Sequence, residues 1–497
     1  MKNKLRILFV SSEINPFAKT GGLADVSSAL PKTIHEMDHE VRLIMPKYGC
    51  INERRFTLRD VIRLKNVPVM MGENTIQTSV KSAFLPDTKV QVYFIEYKPY
   101  FNRQELYVDP KTKYDYPDNA QRFSLFCRGV LETLKILHWQ PDIIHCNDWQ
   151  TSLIPVLLQT EYKQDSFFQK ASTLLTIHNL AYQGIFKKEV YPELYLPESL
   201  FLLDGPLEFY GKINFLKGGI SYADAITTVS EKYSQEIQTD SEYGCGLEGV
   251  LKGRKDEIVG ILNGIDYNIW NPETDRLINE NYGPNSLESK IENKKALLEK
   301  NNLIFNESIP VIGMISRLAD QKGFDLVAEA IDVLLGLDIQ IIILGTGDVR
   351  YRTLLEKIHK KFPRKLSINL RFDDEMAHLI EAGSDIFLMP SKYEPCGLNQ
   401  LYSLKYGTVP VVRNTGGLSD TVQEYNSKED TGDGFVFNEY SASEMISAIK
   451  RAIRLYSDHK AWQRLMKRGM KLDFSWNVSA EKYVRLYTKL EMNRRKK

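Results

Sequence analysis

The chain has 497 residues, 43% of them hydrophobic and 26% charged; this is a globular composition and excludes a disordered or collagen-like chain. Lys and Arg number 65 against 64 Asp and Glu, a net charge of +1, so neither a nucleic-acid partner nor a membrane surface is expected. Five cysteines, at 50, 127, 146, 245 and 396, are odd in number, widely spaced and without a CxxC. That pattern argues against a disulfide framework and a Cys-rich zinc site, and a reducing cytoplasm is the expected compartment. No run approaches the ~20 apolar residues of a membrane span, and the apolar run 5–10 is too short for a secretory signal. The basic run Arg494, Arg495, Lys496, Lys497 reads as a solvated end.

In chain order, apolar runs predict strands at 5–10, 41–45, 90–95, 143–145, 172–177, 225–229 and 258–262, with a helix at 119–137 among them. A polar segment, 267–306, then breaks the rhythm; it holds Pro272 and Pro284. Strands resume at 311–315, 339–344, 368–371, 386–389, 409–412 and 434–437. Helices alternate with them at 324–335, 351–362, 375–382, 397–406 and 443–456. Continuously apolar strands separated by helices imply parallel sheets covered on both faces. The expected fold is therefore α/β, with two Rossmann-like doubly wound domains facing a cleft. The boundary is placed near Asn263, giving domains 1–262 and 263–474.

The two halves open alike. The first strand leads through Lys19-Thr-Gly21-Gly22 into a helix; the strand at 311–315 leads through Arg317 and Lys322-Gly323 into another. A helix start offers unpaired N–H groups to an anion, and glycine lets a ligand approach the backbone. Lys19, Arg317 and Lys322 add full charges, and together these features suit a diphosphate. Glu394, in Ser391-Lys-Tyr-Glu394-Pro-Cys-Gly397, follows a strand and can accept sugar hydroxyls. Thr415, Gly416 and Gly417 form a second glycine-rich turn suited to phosphate. Asp148, Trp149 and His178 also stand at strand ends, and the rings of Trp149 and Tyr182 suit stacking on sugars. The aromatic run Tyr93, Tyr97, Tyr100, Phe101, Tyr107, Tyr114, Tyr116 is a candidate stacking surface or a loop anchor. Gly244-Cys-Gly246-Leu-Glu-Gly249 is literally GxGxxG, but it follows a polar stretch, so the dinucleotide reading fails its context. No DxD and no Walker A motif occurs, so no metal and no cofactor is expected, and helix ends with cations stand in for Mg²⁺.

Together these segments resemble the bacterial glycogen synthase and plant starch synthase family. Lys19-Thr-Gly-Gly-Leu-Ala-Asp25-Val, His145-Cys-Asn-Asp-Trp-Gln, Thr176-Ile-His-Asn-Leu-Ala-Tyr-Gln-Gly, Tyr243-Gly-Cys-Gly-Leu-Glu-Gly, Ser316-Arg-Leu-Ala-Asp-Gln-Lys-Gly-Phe and Glu394-Pro-Cys-Gly-Leu run in the family's order. The resemblance implies two domains of the GT-B type and retaining transfer of glucose from ADP-glucose to the non-reducing end of an α-1,4-glucan such as glycogen. It implies that Lys19, Gly21 and Gly22 meet the donor phosphates, and that Arg317 and Lys322 neutralise the leaving diphosphate. It also implies that Glu394 holds glucose hydroxyls with His178, Asp148 and Trp149 nearby, that Asn263 lines the cleft, and that Thr415, Gly416 and Gly417 bind phosphate through backbone N–H groups. Residues 475–497 are expected to pack back on the first domain. A related transferase using UDP-glucose or a small acceptor is the alternative. One departure is plain: the wider retaining GT-B pattern has a second Glu eight positions after the first, where this chain has Tyr402, and ribose recognition is left open.

Overall fold

The strand Arg6–Val10 lies between two parallel neighbours, Glu40–Pro46 and Ile143–Asn147. That central place explains why it is apolar throughout, since both of its faces are covered. A computed structural model describes residues 4–496; Met1, Lys2, Asn3 and Lys497, the last member of the basic run, lie outside the described residues. From one edge, the parallel part of this sheet runs Ile258–Gly260, Ala225–Thr228, Ser172–Ile177, Ile143–Asn147, Arg6–Val10, Glu40–Pro46, Gln91–Glu96. Beyond Gln91–Glu96 it turns antiparallel, which the sequence reading did not anticipate. Asn74–Phe84 pairs with that strand, and Val67–Met71 and Arg59–Asp60 pair with Asn74–Phe84. The reason is visible in Val67–Met71, where buried and exposed residues alternate. A strand covered on one face has no continuous apolar run by which to be recognised. A small antiparallel sheet of Ile185–Lys187, Lys212–Asn214 and Glu208–Phe209 is added beside it in the chain.

The second sheet is wholly parallel, in the order Leu366–Asn369, Gln340–Leu344, Val311–Ile315, Ile386–Met389, Val409–Arg413, Phe435–Phe437. Numbered along the chain this is 3-2-1-4-5-6, the doubly wound order. Alternate residues of each strand serve opposite cores. Ile312, Met314, Ile341 and Ile343 pack with the helices Phe324–Leu335 and Ala442–Tyr456. Val311, Ile342, Leu344 and Phe387 pack with Lys290–Lys300 and Asp374–Gly383.

The chain forms two units. One runs to Val229 and adds 234–264 and the segment from Trp476; the other holds 230–233 and 265–475. The division falls two residues later than the sequence boundary, so Asn263 stays with the first unit. In that unit Tyr483 and Tyr487 of the last helix are buried, with the Tyr487 hydroxyl 2.7 Å from His145 Nδ1. The polar segment 267–306 is no linker. Lys290, Asn293 and Lys294 are buried in its helix, and Lys294 Nζ reaches Asp385 at 2.8 Å. Its polarity supplies donors to carbonyls and a carboxylate of the core.

Candidate active site

In the second sheet, and among the parallel strands of the first, the strand order reverses between the first strand and the fourth. The crevice outside the carboxyl ends of strands at such a point is where open α/β sheets bind ligands. In the second unit the loops leaving Val311–Ile315 and Ile386–Met389 carry Arg317, Lys322 and Glu394. Gly323, at φ +75°, presses the first loop against the second: a Cβ there would stand 2.1 Å from Pro390 O. Lys322 Nζ is thereby brought to 2.5 Å from Glu394 Oε2, which also accepts from Ser391 Oγ at 3.0 Å. Glu394 is only 5% exposed, so each charge of the pair depends on the other for compensation. Arg317 stays exposed, its guanidinium 3.5 Å from Gln321 Oε1.

The turn at Thr415, Gly416 and Gly417 has a packing role that the sequence reading did not include. Two of its N–H groups are engaged within the protein: Thr415 N donates to Arg413 O at 2.9 Å and Gly417 N to Glu394 O at 3.0 Å. A Cβ on Gly416 would lie 1.9 Å from Glu394 O, and one on Gly417 1.9 Å from Cys396 O. The turn therefore holds the Glu394 loop in place, and the Thr415 and Gly417 amides that the sequence reading offered to phosphate donate within the protein. Tyr402 is likewise turned to packing. Its ring stacks on Trp270 at 3.9 Å, and Trp270 stacks on His378 at 3.8 Å. Asp275 Oδ2 anchors that column, 2.7 Å from His378 Nδ1 and accepting from Tyr406 OH at 2.6 Å. Phe372, beyond the carboxyl end of Leu366–Asn369, is 88% exposed and offers a planar face; only its exposure distinguishes it from a core ring.

In the first unit the sequence reading missed Glu13. This buried carboxylate accepts from Thr20 N at 2.5 Å, Thr20 Oγ1 at 2.6 Å, Gly21 N at 3.3 Å and Tyr107 OH at 2.8 Å. It thus engages the Gly21 N–H, one of the groups assigned to phosphate, together with Thr20. A carboxylate shortly before a Gly-Gly helix start was the available signal. Space remains in front of the helix, because a Cβ on Gly21 or Gly22 would meet nothing within 4 Å. Lys19 is exposed there, 2.8 Å from Asp25.

Asp148 and His178 come together on adjacent strands. Asp148 Oδ1 accepts from His178 N at 2.8 Å, and His178 Nε2 lies 2.9 Å from Asn147 Oδ1. The Asn147 amide nitrogen is committed to Val10 O at 3.0 Å, so Nε2 carries the ring proton. Burial holds His178 neutral, its pKa pushed down to about 3. Its Nδ1 is then an acceptor. Burial also pushes Asp148 up to about 7, against the hydrogen bonds from His178 and Asn179 N–H.

These two shifts oppose each other in stability. Between pH 3.8 and 6.5 folded Asp148 keeps a proton that the unfolded chain has lost, so its contribution falls as pH rises. Over the same window unfolded His178 gains a proton that the folded chain refuses, so its contribution falls as pH drops. Asp148→Asn removes the first contribution alone. Thermal melts from pH 7 to 5 are expected to show a steeper loss of Tm than in the parent; equal slopes would contradict the assignment.

Trp149 is a correction. It is 8% exposed, edge-on to Phe123 at 4.9 Å and Phe186 at 5.6 Å, with the Gly184 backbone against its ring. It supports the His178 loop and has no free face for a sugar. Tyr100 is another. It is half-buried, edge-on to Tyr97 at 5.1 Å, and its carbonyl accepts from Arg122 Nε at 2.8 Å. Arg122 is fully buried among Phe101, Tyr116 and Phe123, so two rings of the aromatic run, Phe101 and Tyr116, anchor a loop around a cation. Asn263 is buried, and its Oδ1 has no hydrogen-bond partner among the described residues.

Two doubly wound sheets with cations and carboxylates at their switch points are the architecture of the GT-B class of glycosyltransferases. Comparison with known proteins narrows the class. The family model for the starch synthase catalytic domain matches residues 6–253, and that for glycosyl transferases group 1 matches 297–469. The chain is 48% identical to the glycogen synthase of Geotalea daltonii, over 97% of this chain and 98% of that one. Against the glycogen synthase of Thermotoga maritima identity is 45%, over 98% and 99%. The solved catalytic domain of starch synthase IV from Arabidopsis thaliana, bound to ADP and acarbose, superposes with a TM-score of 0.89 at 33% identity, covering 99% of this chain and all of that one. A sucrose-phosphate synthase from Thermosynechococcus elongatus, 15% identical with a TM-score of 0.59 over 98% and 99% of the two chains, shows the shared fold alone. The chain belongs to the glycogen and starch synthase family, glycosyltransferases that elongate glucans. Among the described residues no helix is long and apolar enough to cross a membrane.

Proposed function

We propose that this chain transfers glucose from ADP-glucose to the non-reducing end of an α-1,4-glucan, with retention at the anomeric carbon and without a divalent metal. The observation that carries the reading is the Lys322–Glu394 pair at 2.5 Å: a cation for the departing phosphate and a carboxylate for sugar hydroxyls, held together by their loops. The ADP seen in the Arabidopsis starch synthase structure supports the choice of nucleotide.

The bond between the anomeric carbon and the β-phosphate oxygen breaks, and a bond to the acceptor 4-oxygen forms on the same face. The acceptor's proton leaves with a diphosphate oxygen, so no general acid is required. Lys322, Arg317 and Lys19 stabilise charge developing on the leaving group. Glu394 and the acceptor nitrogen of neutral His178 orient hydroxyls, and Asp148 fixes the His178 backbone. A retaining glycosidase would instead need two carboxylates about 5–5.5 Å apart, and here the one clear candidate is paired with a lysine.

Turnover on glycogen with ADP-glucose and with UDP-glucose is the deciding assay. ADP release with ADP-glucose and glycogen, and none with small sugars, is expected. Preference for UDP-glucose or a small acceptor would replace the reading with its alternative. Product NMR is expected to show only new α-linkages, and a β-linkage would end the front-face mechanism. Activity is expected to survive exhaustive EDTA treatment; loss that Mg²⁺ restores would overturn metal independence.

A further inference from the structure

The turn between Glu208–Phe209 and Lys212–Asn214 carries a tyrosine where glycine or asparagine is usual. Phe209 pairs with Lys212, which leaves a two-residue loop of Tyr210 and Gly211. Both have positive φ, +49° and +75°. Tight hairpin loops of this kind demand that backbone, and Asn, Asp or Gly normally supplies its first position. A bulky residue there is strained. No burial offsets the strain, because Tyr210 is 81% exposed. Strain kept for an exposed aromatic ring points to something that the ring meets outside the protein.

The ring is backed from below. Phe209 meets it edge-on, with centroids 4.8 Å apart. Both rings lie over Gly246, where a Cβ would stand 2.9 Å from Phe209 and 3.5 Å from Tyr210. The middle glycine of the misplaced GxGxxG therefore makes room for this hairpin. The same framework holds the His178 loop. Gln183 Nε2 donates to Cys245 O at 3.1 Å, and Gln183 Oε1 accepts from Asn214 Nδ2 at 2.6 Å. The strand Ile185–Lys187, which continues the His178 loop, pairs with Lys212–Asn214. Tyr182, between His178 and that strand, is also exposed.

We propose that Tyr210 is a stacking platform for the acceptor glucan. The proposal deepens the glucan-synthase reading and rests on it. An α-linked glucose unit presents a face of C–H groups to an aromatic ring and keeps its hydroxyls at the rim, so recognition needs no charge. The cross-strand pair Lys187 and Lys212 lies below the turn, which makes a nucleotide the competing occupant. The test must separate the two.

Three variants of the whole chain decide it: Tyr210→Phe, Tyr210→Asn and Tyr210→Ala. Readouts are Tm, maltohexaose binding by calorimetry, ADP binding, and steady-state kinetics for each substrate. Tyr210→Asn is expected to keep or raise Tm, since Asn suits the turn, while maltohexaose affinity falls about tenfold, as the loss of one stacked ring would. kcat at saturating glucan and KM for the donor are expected to stay within about twofold, and Tyr210→Phe to behave as the parent. Tyr210→Ala is expected to bind maltohexaose as poorly as Tyr210→Asn. Unchanged maltohexaose binding in Tyr210→Asn overturns the platform, whatever happens to Tm. Weaker ADP binding with intact glucan binding assigns the ring to the donor and also overturns it. A parent chain that binds maltohexaose through Tyr210 yet transfers no glucose would refute the synthase reading and leave the platform standing; a parent that neither binds nor transfers refutes both.

Discussion

Lys322→Ala is expected to lower kcat by about 10²–10³-fold while glucan binding changes little. The magnitude follows from removing one preorganised charge aimed at a group that becomes more negative in the transition state. Tight binding of the ground state would appear in KM, whereas charge on a leaving phosphate develops as the bond breaks. The same substitution leaves Glu394 buried without its cation. Breaking a fully buried pair costs about 3–5 kcal/mol; Lys322 keeps some solvent contact, so a smaller loss of stability is expected. The double variant Lys322→Ala, Glu394→Gln separates the two effects: stability should return and activity should not. Steady-state kinetics with denaturation curves check this. A parent-like kcat with only a weaker acceptor KM would contradict the role given to Lys322.

Gly417→Ala is expected to be nearly as damaging, by another route. The added methyl would stand 1.9 Å from Cys396 O, a backbone atom with no rotamer to escape through. The loop at 394–396 must then move, and with it the Glu394–Lys322 contact. A loss of at least about 2 kcal/mol in stability and most of the activity is expected, as for substitutions that strain the backbone itself. Denaturation and kinetics on the same preparation test it. A stable, active Gly417→Ala protein would show that the loop is free to shift and that its close packing is not what holds Glu394.

These two residues also mark how far the chain could be read before its fold was known. Lys322 and Glu394 were legible because a charged residue after an apolar run and beside glycine is a local pattern. The purpose of Gly416 and Gly417 was not legible. Glycines before a helix suggest amides free for phosphate, and only the coordinates show that Gly417 N–H is spent on Glu394 O. Glu13 was missed for the same reason, since its hydrogen bonds run to Thr20 and Gly21, across a turn. Trp149 and Tyr100 carry the right chemistry for sugar stacking, yet composition cannot say whether a ring faces solvent or its neighbours. Tyr210 is the converse case: nothing in its local sequence sets it apart until its φ and exposure are known.

By itself the sequence determined the alternation of apolar strands and amphipathic helices, and hence the parallel α/β class, because burial of both sheet faces must be written into every strand. It also determined which loops bear charge beside glycine. Only the tertiary structure decided which of those groups are spent on one another: hydrogen bonding and ion pairing in a loop depend on residues far apart in the chain, and no periodicity records them.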